Sequence, residues 1–151
     1  MRIHEQDLTT VDQAEKSIIK AAATMVNATT VFTIAGGPIM ILQLGALCIT
    51  TNNGTASTLQ WSADGTDGAA TTITGASATL ANAAAGTIVA AVPGTLATAP
   101  SIYANGVGIA GTVPIIVPAG IITIVIGVGS TTGTWRQFMR YRPLKEGVTV
   151  T

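Results

Sequence analysis

The sequence predicts an all-β body, a sandwich or barrel of short strands, behind an N-terminal arm that holds one short helix. Three observations carry this reading. From about residue 30 the chain turns to Thr, Val, Ile and Gly with turn signals spaced about ten positions apart. Only one earlier stretch shows helical periodicity. Charged residues are 9% of the chain, against about 25% in an ordinary soluble domain, and they crowd at the two ends.

The helix is expected over residues 9–26, TTVDQAEKSIIKAAATMV. Thr9 or Thr10 caps it, Asp12 sits in the first turn, and Val11, Ala14, Ile18, Ala21, Ala22 and Met25 recur at helical spacing along a narrow stripe. Strands follow near Val31 to Ile34, Ile39 to Thr50, Thr55 to Ser62, Ala69 to Thr74 and Thr87 to Val92. Three more are expected near Val113 to Val117, Ile121 to Val128 and Thr134 to Arg142. Asn52-Asn53-Gly54 and Asp64-Gly65-Thr66-Asp67-Gly68 supply turns, because Asn, Asp and Gly tolerate positive φ. Gly36-Gly37-Pro38 and Pro118-Ala119-Gly120 each separate two apolar stretches and read as corners. ASATLANAAAG, residues 76–86, reads equally as a short helix or an Ala-rich loop.

In the last strand, alternation puts Trp135, Gln137, Met139 and Tyr141 on one face and Arg136, Phe138, Arg140 and Arg142 on the other. The first face is core-like. The second carries an arginine row, either solvated or paired with carboxylates of a neighbouring chain such as Asp64 or Asp67, since the guanidinium fork suits bidentate contacts.

At 151 residues the chain has a one-domain length and can bury about two thirds of its unfolded surface in one core. Its net charge is zero, which gives no nucleic-acid signature. From Gly68 to Trp135 there is no charged side chain, so the surface of the body is Thr, Ser, Asn, Gly and Ala. A soluble monomer ordinarily carries interspersed charge, and an uncharged body points to coverage by partner subunits. The start, MRIHEQDL, lacks the apolar core of a signal peptide. The uncharged run 106–129 is long enough for a membrane helix, but its prolines and glycines favour two strands, and no membrane partner is expected.

Catalytic chemistry has few candidates. His4 is the one histidine and lies near the start of the chain; Cys48, inside an apolar strand, reads as a small hydrophobe; no Cys/His cluster offers a zinc site. GVGIAG, residues 106–111, has the glycine spacing of a dinucleotide fingerprint, yet Thr112-Val113-Pro114 cannot open the helix that the motif requires. Asp64 and Asp67 fall short of a calcium loop's ligand count. Two Trp and two Tyr are too few for a broad carbohydrate platform. The expectation is a protein that is not an enzyme and takes no cofactor and no metal.

The stretches TTVFTIAGGPIMILQLGALCITT (29–51), AAAGTIVAAVPGTL (83–96) and PIIVPAGIITIVIGVGSTTGTWRQFMRYRPLKEGVTV (114–150), in that order, resemble a family of small structural proteins of tailed bacteriophages. The shared features are a Gly-Gly-Pro corner after the opening strand, a Pro-Ala-Gly corner before a strand, and a final strand with Trp and Arg ahead of Tyr-x-Pro-Leu. The resemblance implies a jelly-roll-like β-sandwich over residues 28–151, after the arm and helix of residues 1–27. It also implies a virion component, foremost a capsid decoration or cement protein on the outside of the head. Its expected partners are the major capsid protein and copies of itself in a homotrimer, with no nucleic acid. A tail or head-tail component, or a host-surface glycan-binding module, is the alternative. The contact surfaces expected on this reading are the arm, including Arg2 and Ile18, and the row Arg136, Arg140 and Arg142. Ile121 to Val128 is more apolar than the family pattern, which favours burial between subunits.

Overall fold

The computed structural model describes residues 14–92, 96–104, 114–128 and 131–151. Arg2, His4, residues 9–13 of the expected helix and the GVGIAG run lie outside the described residues. Among the described residues there are twelve strands and no helix: β1 (Lys16–Ile19), β2 (Ala23–Thr24), β3 (Thr29–Ala35), β4 (Ile39–Cys48), β5 (Thr58–Gly65), β6 (Thr71–Thr72), β7 (Ile88–Ala90), β8 (Ser101–Tyr103), β9 (Ile115–Val117), β10 (Gly120–Gly127), β11 (Thr134–Pro143) and β12 (Thr149–Val150).

They form two antiparallel sheets. The first runs β1-β11-β4-β7-β8, with β2 also on β11 and β9 also on β4; the second runs β12-β3-β10-β5-β6. Each of the eight strands expected from the sequence has a counterpart here. The 76–86 segment is the loop of the two readings left open, with no helix in it.

Alternation builds the core. In β10, Ile122, Ile124 and Ile126 turn inward opposite Ala63, Trp61 and Leu59 of β5, while in β11 Trp135, Gln137, Met139 and Tyr141 are the buried set. Those hydrophobic side chains join Phe32, Ile39, Ile41, Leu44 and Val89 in one cluster. Fully burying a large apolar side chain stabilises by about 1.5–3 kcal/mol, whereas an exposed ion pair contributes at most about 1 kcal/mol. Hydrophobic burial therefore holds this charge-poor fold together.

Both proline-glycine breaks are corners between the sheets. Gly36-Gly37-Pro38 carries the chain from β3 in the second sheet to β4 in the first, and Pro118-Ala119-Gly120 from β9 in the first to β10 in the second. Gly36 has φ 87° and Gly120 has φ 151°, values that L side chains rarely adopt. A Cβ at Gly120 would overlap the carbonyl oxygen of Asp64.

The expected helix is not formed over its described part. Residues 16–24 instead make β1 and β2, laid antiparallel along β11 in the registers Ser17↔Arg140, Ile18↔Met139 and Trp135↔Ala23. The helical stripe was narrow and would bury little. As a strand the same segment satisfies the free edge of β11 and turns β-branched Ile18 onto the core. Lys20 N–H continues the ladder to Gln137 O at 2.9 Å.

Asn52, read from sequence as a turn residue, is buried and ties three loops together. Its Nδ2 donates to Leu80 O (2.9 Å), and its Oδ1 accepts from the backbone N–H groups of Thr132 (3.0 Å) and Gly133 (3.1 Å). No helix among the described residues is long and apolar enough to cross a membrane, and the described part of the 106–129 run is the strand pair β9 and β10.

Candidate assembly face

The side chains that the fold leaves outward on the first sheet are arranged by register. Ile19, Phe138, Gly45 and Ala90 form one row across β1, β11, β4 and β7; Arg136, Leu47, Ile88 and Tyr103 form the next across β11, β4, β7 and β8. On the other side of the first row come Ser17, Arg140 and Gln43, then Arg142, Met40 and Ile116. Ile19 and Ile116 are 64% and 63% exposed, and Phe138, Leu47, Ile88 and Met40 are half-buried. Apolar side chains thus sit among arginines on an outward sheet face, where a solvated face would carry mixed charge.

Phe138 lies flat against the sheet because its partner in β4 is Gly45. A Cβ at Gly45 would run into the Phe138 ring and come 2.8 Å from Val89 O. A missing side chain in one strand is what makes room for a ring in the next.

Glu15 governs the charge of this face. Its carboxylate meets Arg140 Nε at 3.6 Å and Arg142 Nη2 at 3.5 Å, all three side chains being roughly two-fifths exposed. The Nε atoms of both arginines are shielded from solvent without a hydrogen-bond partner, so the guanidinium stems lie along the sheet. Among the described residues no ion pair involves Arg136, which is exposed. Among the described residues, three arginines on this strip face one carboxylate. Glu15 belongs to the same chain; Asp64 is on β5 of the second sheet and Asp67 in the turn after it.

Of the residues singled out from sequence, the structure brings Arg136, Arg140 and Arg142 together on one outward face. Ile18 is not on it: it packs against the core, and its neighbour Ile19 is the outward residue. Glu15, Ile19 and Gly45 were not singled out. Period-two alternation would have found Ile19 had the segment been read as a strand.

The remaining candidates have structural roles. Cys48 is buried, its Sγ is 3.2 Å from Thr50 O, and burial pushes its thiol pKa up, so it stays protonated and weakly nucleophilic. Trp61 and Trp135 are both buried, which leaves no exposed tryptophan. Among the described residues no group of three His, Cys, Asp or Glu side chains is placed to hold a metal ion. Asn27 Oδ1 accepts from Ile126 N–H at 3.0 Å, and Asn53 Nδ2 donates to Thr55 Oγ1 at 3.1 Å. Against protein-family models, curated proteins and solved structures, the chain finds no match.

Proposed function

We propose that this is a virion structural protein of the decoration or cement kind, which assembles with copies of itself and binds the outside of a tailed-bacteriophage head. The observation that carries the assembly part is the outward face of the first sheet, where apolar rows flank a strip of three arginines, two of them paired with Glu15. The head assignment, the trimer and the jelly-roll topology rest on the sequence resemblance. The topology is also supported by β10 inserting between β3 and β5, a crossing connection of the kind that jelly rolls use.

The mechanism is mechanical. A protein that bridges capsid subunits binds only the assembled shell, so mass action shifts the equilibrium against rupture. Many weak copies act together through multivalency. The partner surface this face fits is apolar with acidic residues at its margin, which steers encounter and fixes register.

Co-sedimentation with undecorated capsids, paired with capsid melting, tests the reading. Saturation at a fixed stoichiometry together with a raised disruption temperature supports it. Absence of binding removes the head assignment and leaves the tail or host-surface alternative, which virion immunolabelling and a glycan array separate.

A further inference from the structure

We propose that the N-terminal strap, residues 14–26, is exchanged between copies, so that β1 and β2 of one chain complete the first sheet of its neighbour. This rests on the reading that the chain assembles with itself. The strap's link to the described body is one tight turn, Val26-Asn27-Ala28-Thr29, closed by Thr29 N–H to Val26 O at 3.3 Å. Within that turn Ala28 is held at φ 61°, a left-handed conformation costly for any residue with a Cβ. Strained short hinges favour exchange, because opening the turn relieves the strain while every strap contact re-forms in trans.

The strap's own side chains point the same way. β1 is four residues long and contributes one partly buried side chain, Ile18, to the core. Met25 is the strap's one fully buried anchor, while Ile19 in the middle of the strap and Val26 at its end are 64% and 61% exposed, and Ile19 continues into the apolar row of the candidate assembly face. The β11 of a second copy offers the same edge, with the same Arg140 and Arg142 for Glu15. The occupant is therefore another copy of this chain, recognised by strand pairing identical to that seen within one chain.

The test is cross-linking in the full chain. Ser17 and Gln43 flank Arg140 on one outward row, two strand spacings or about 10 Å apart. Ser17→Cys chains and Gln43→Cys chains, carrying different tags, are co-expressed and treated with a bismaleimide of that reach; buried Cys48 serves as the silent control. Exchange gives a mixed two-chain product, and adding Ala28→Gly, which removes the hinge strain, lowers its yield several-fold at unchanged oligomer size. A light-scattering oligomer whose mixed product is absent, or insensitive to Ala28→Gly, overturns the exchange and leaves self-assembly standing. A monomer overturns both, while capsid co-sedimentation still decides the decoration reading.

Discussion

The indole N–H of Trp61, on β5 of the second sheet, donates to Oε1 of Gln137, on β11 of the first, at 3.0 Å across the interior of the sandwich. Gln137 then donates from Nε2 to Met25 Sδ at 3.4 Å, so one buried amide links both sheets to the strap. Replacing it by an apolar residue strands the Trp61 donor, and an unsatisfied buried group costs about 1–3 kcal/mol. Gln137→Leu should lower the unfolding free energy by about that amount in urea titrations, although it makes the core more apolar. Adding Trp61→Phe to Gln137→Leu should cost less than Trp61→Phe alone, a coupling that a double-mutant cycle measures. A cycle in which the two substitutions are simply additive would show that the bond contributes nothing.

The Pro118-Ala119-Gly120 corner depends on its glycine. Gly120→Ala adds a Cβ that meets the Asp64 carbonyl at a φ of 151°, so the β5–β10 pairing must shift. We expect a loss of about 2 kcal/mol or more, in the range of substitutions where the native φ does not suit the new residue. Gly68→Ala is the control: a Cβ there meets nothing within 4 Å, and its melting temperature should stay close to wild type. Equal melting of the two variants would rule out steric control of the corner.

Cys48 makes a pH prediction. Burial raises its thiol pKa above the ordinary value of about 9, so the folded chain keeps a proton that the unfolded chain releases. Stability from this source is complete below that value and declines as pH rises through and above it. Between pH 8 and pH 10, wild type should therefore lose more stability than Cys48→Ala, the difference in slope cancelling other titrating groups. Iodoacetamide should label Cys48 only under unfolding conditions. Parallel slopes, or labelling of the native protein at pH 8, would contradict this.

The strand pattern was legible because alternation and turn chemistry are local properties. Trp135 to Arg142 divides into an inward and an outward set by position alone, and the Gly-Pro corners announce themselves by residue type. The strap was misread because Ala14, Ile18 and Ala21 fit a helical period, while the deciding partner, the edge of β11, lies more than a hundred residues away. Asn52 was hidden for the same reason: its contacts are with Leu80, Thr132 and Gly133, which sequence does not bring together. The arginine row was visible, but the pairing of Arg140 and Arg142 with Glu15 followed only once the strap was a strand.

The outward face separates assembly from folding. Arg136 is exposed, and Arg136→Glu should leave the melting temperature nearly unchanged, as surface substitutions usually do within about 0.5 kcal/mol. It also reverses charge at one end of the strip, so binding to an acidic partner should fall at least tenfold and the remaining binding should lose its salt sensitivity. Glu15→Gln makes the opposite change. It removes two exposed ion pairs, worth no more than about 1 kcal/mol together, and leaves the strip more positive, so the same partner should bind as well or better at low salt. Capsid co-sedimentation at two salt concentrations, with melting curves for both variants, reads each effect independently. If Arg136→Glu binds like wild type while Glu15→Gln fails, the strap rather than the arginine strip makes the contact.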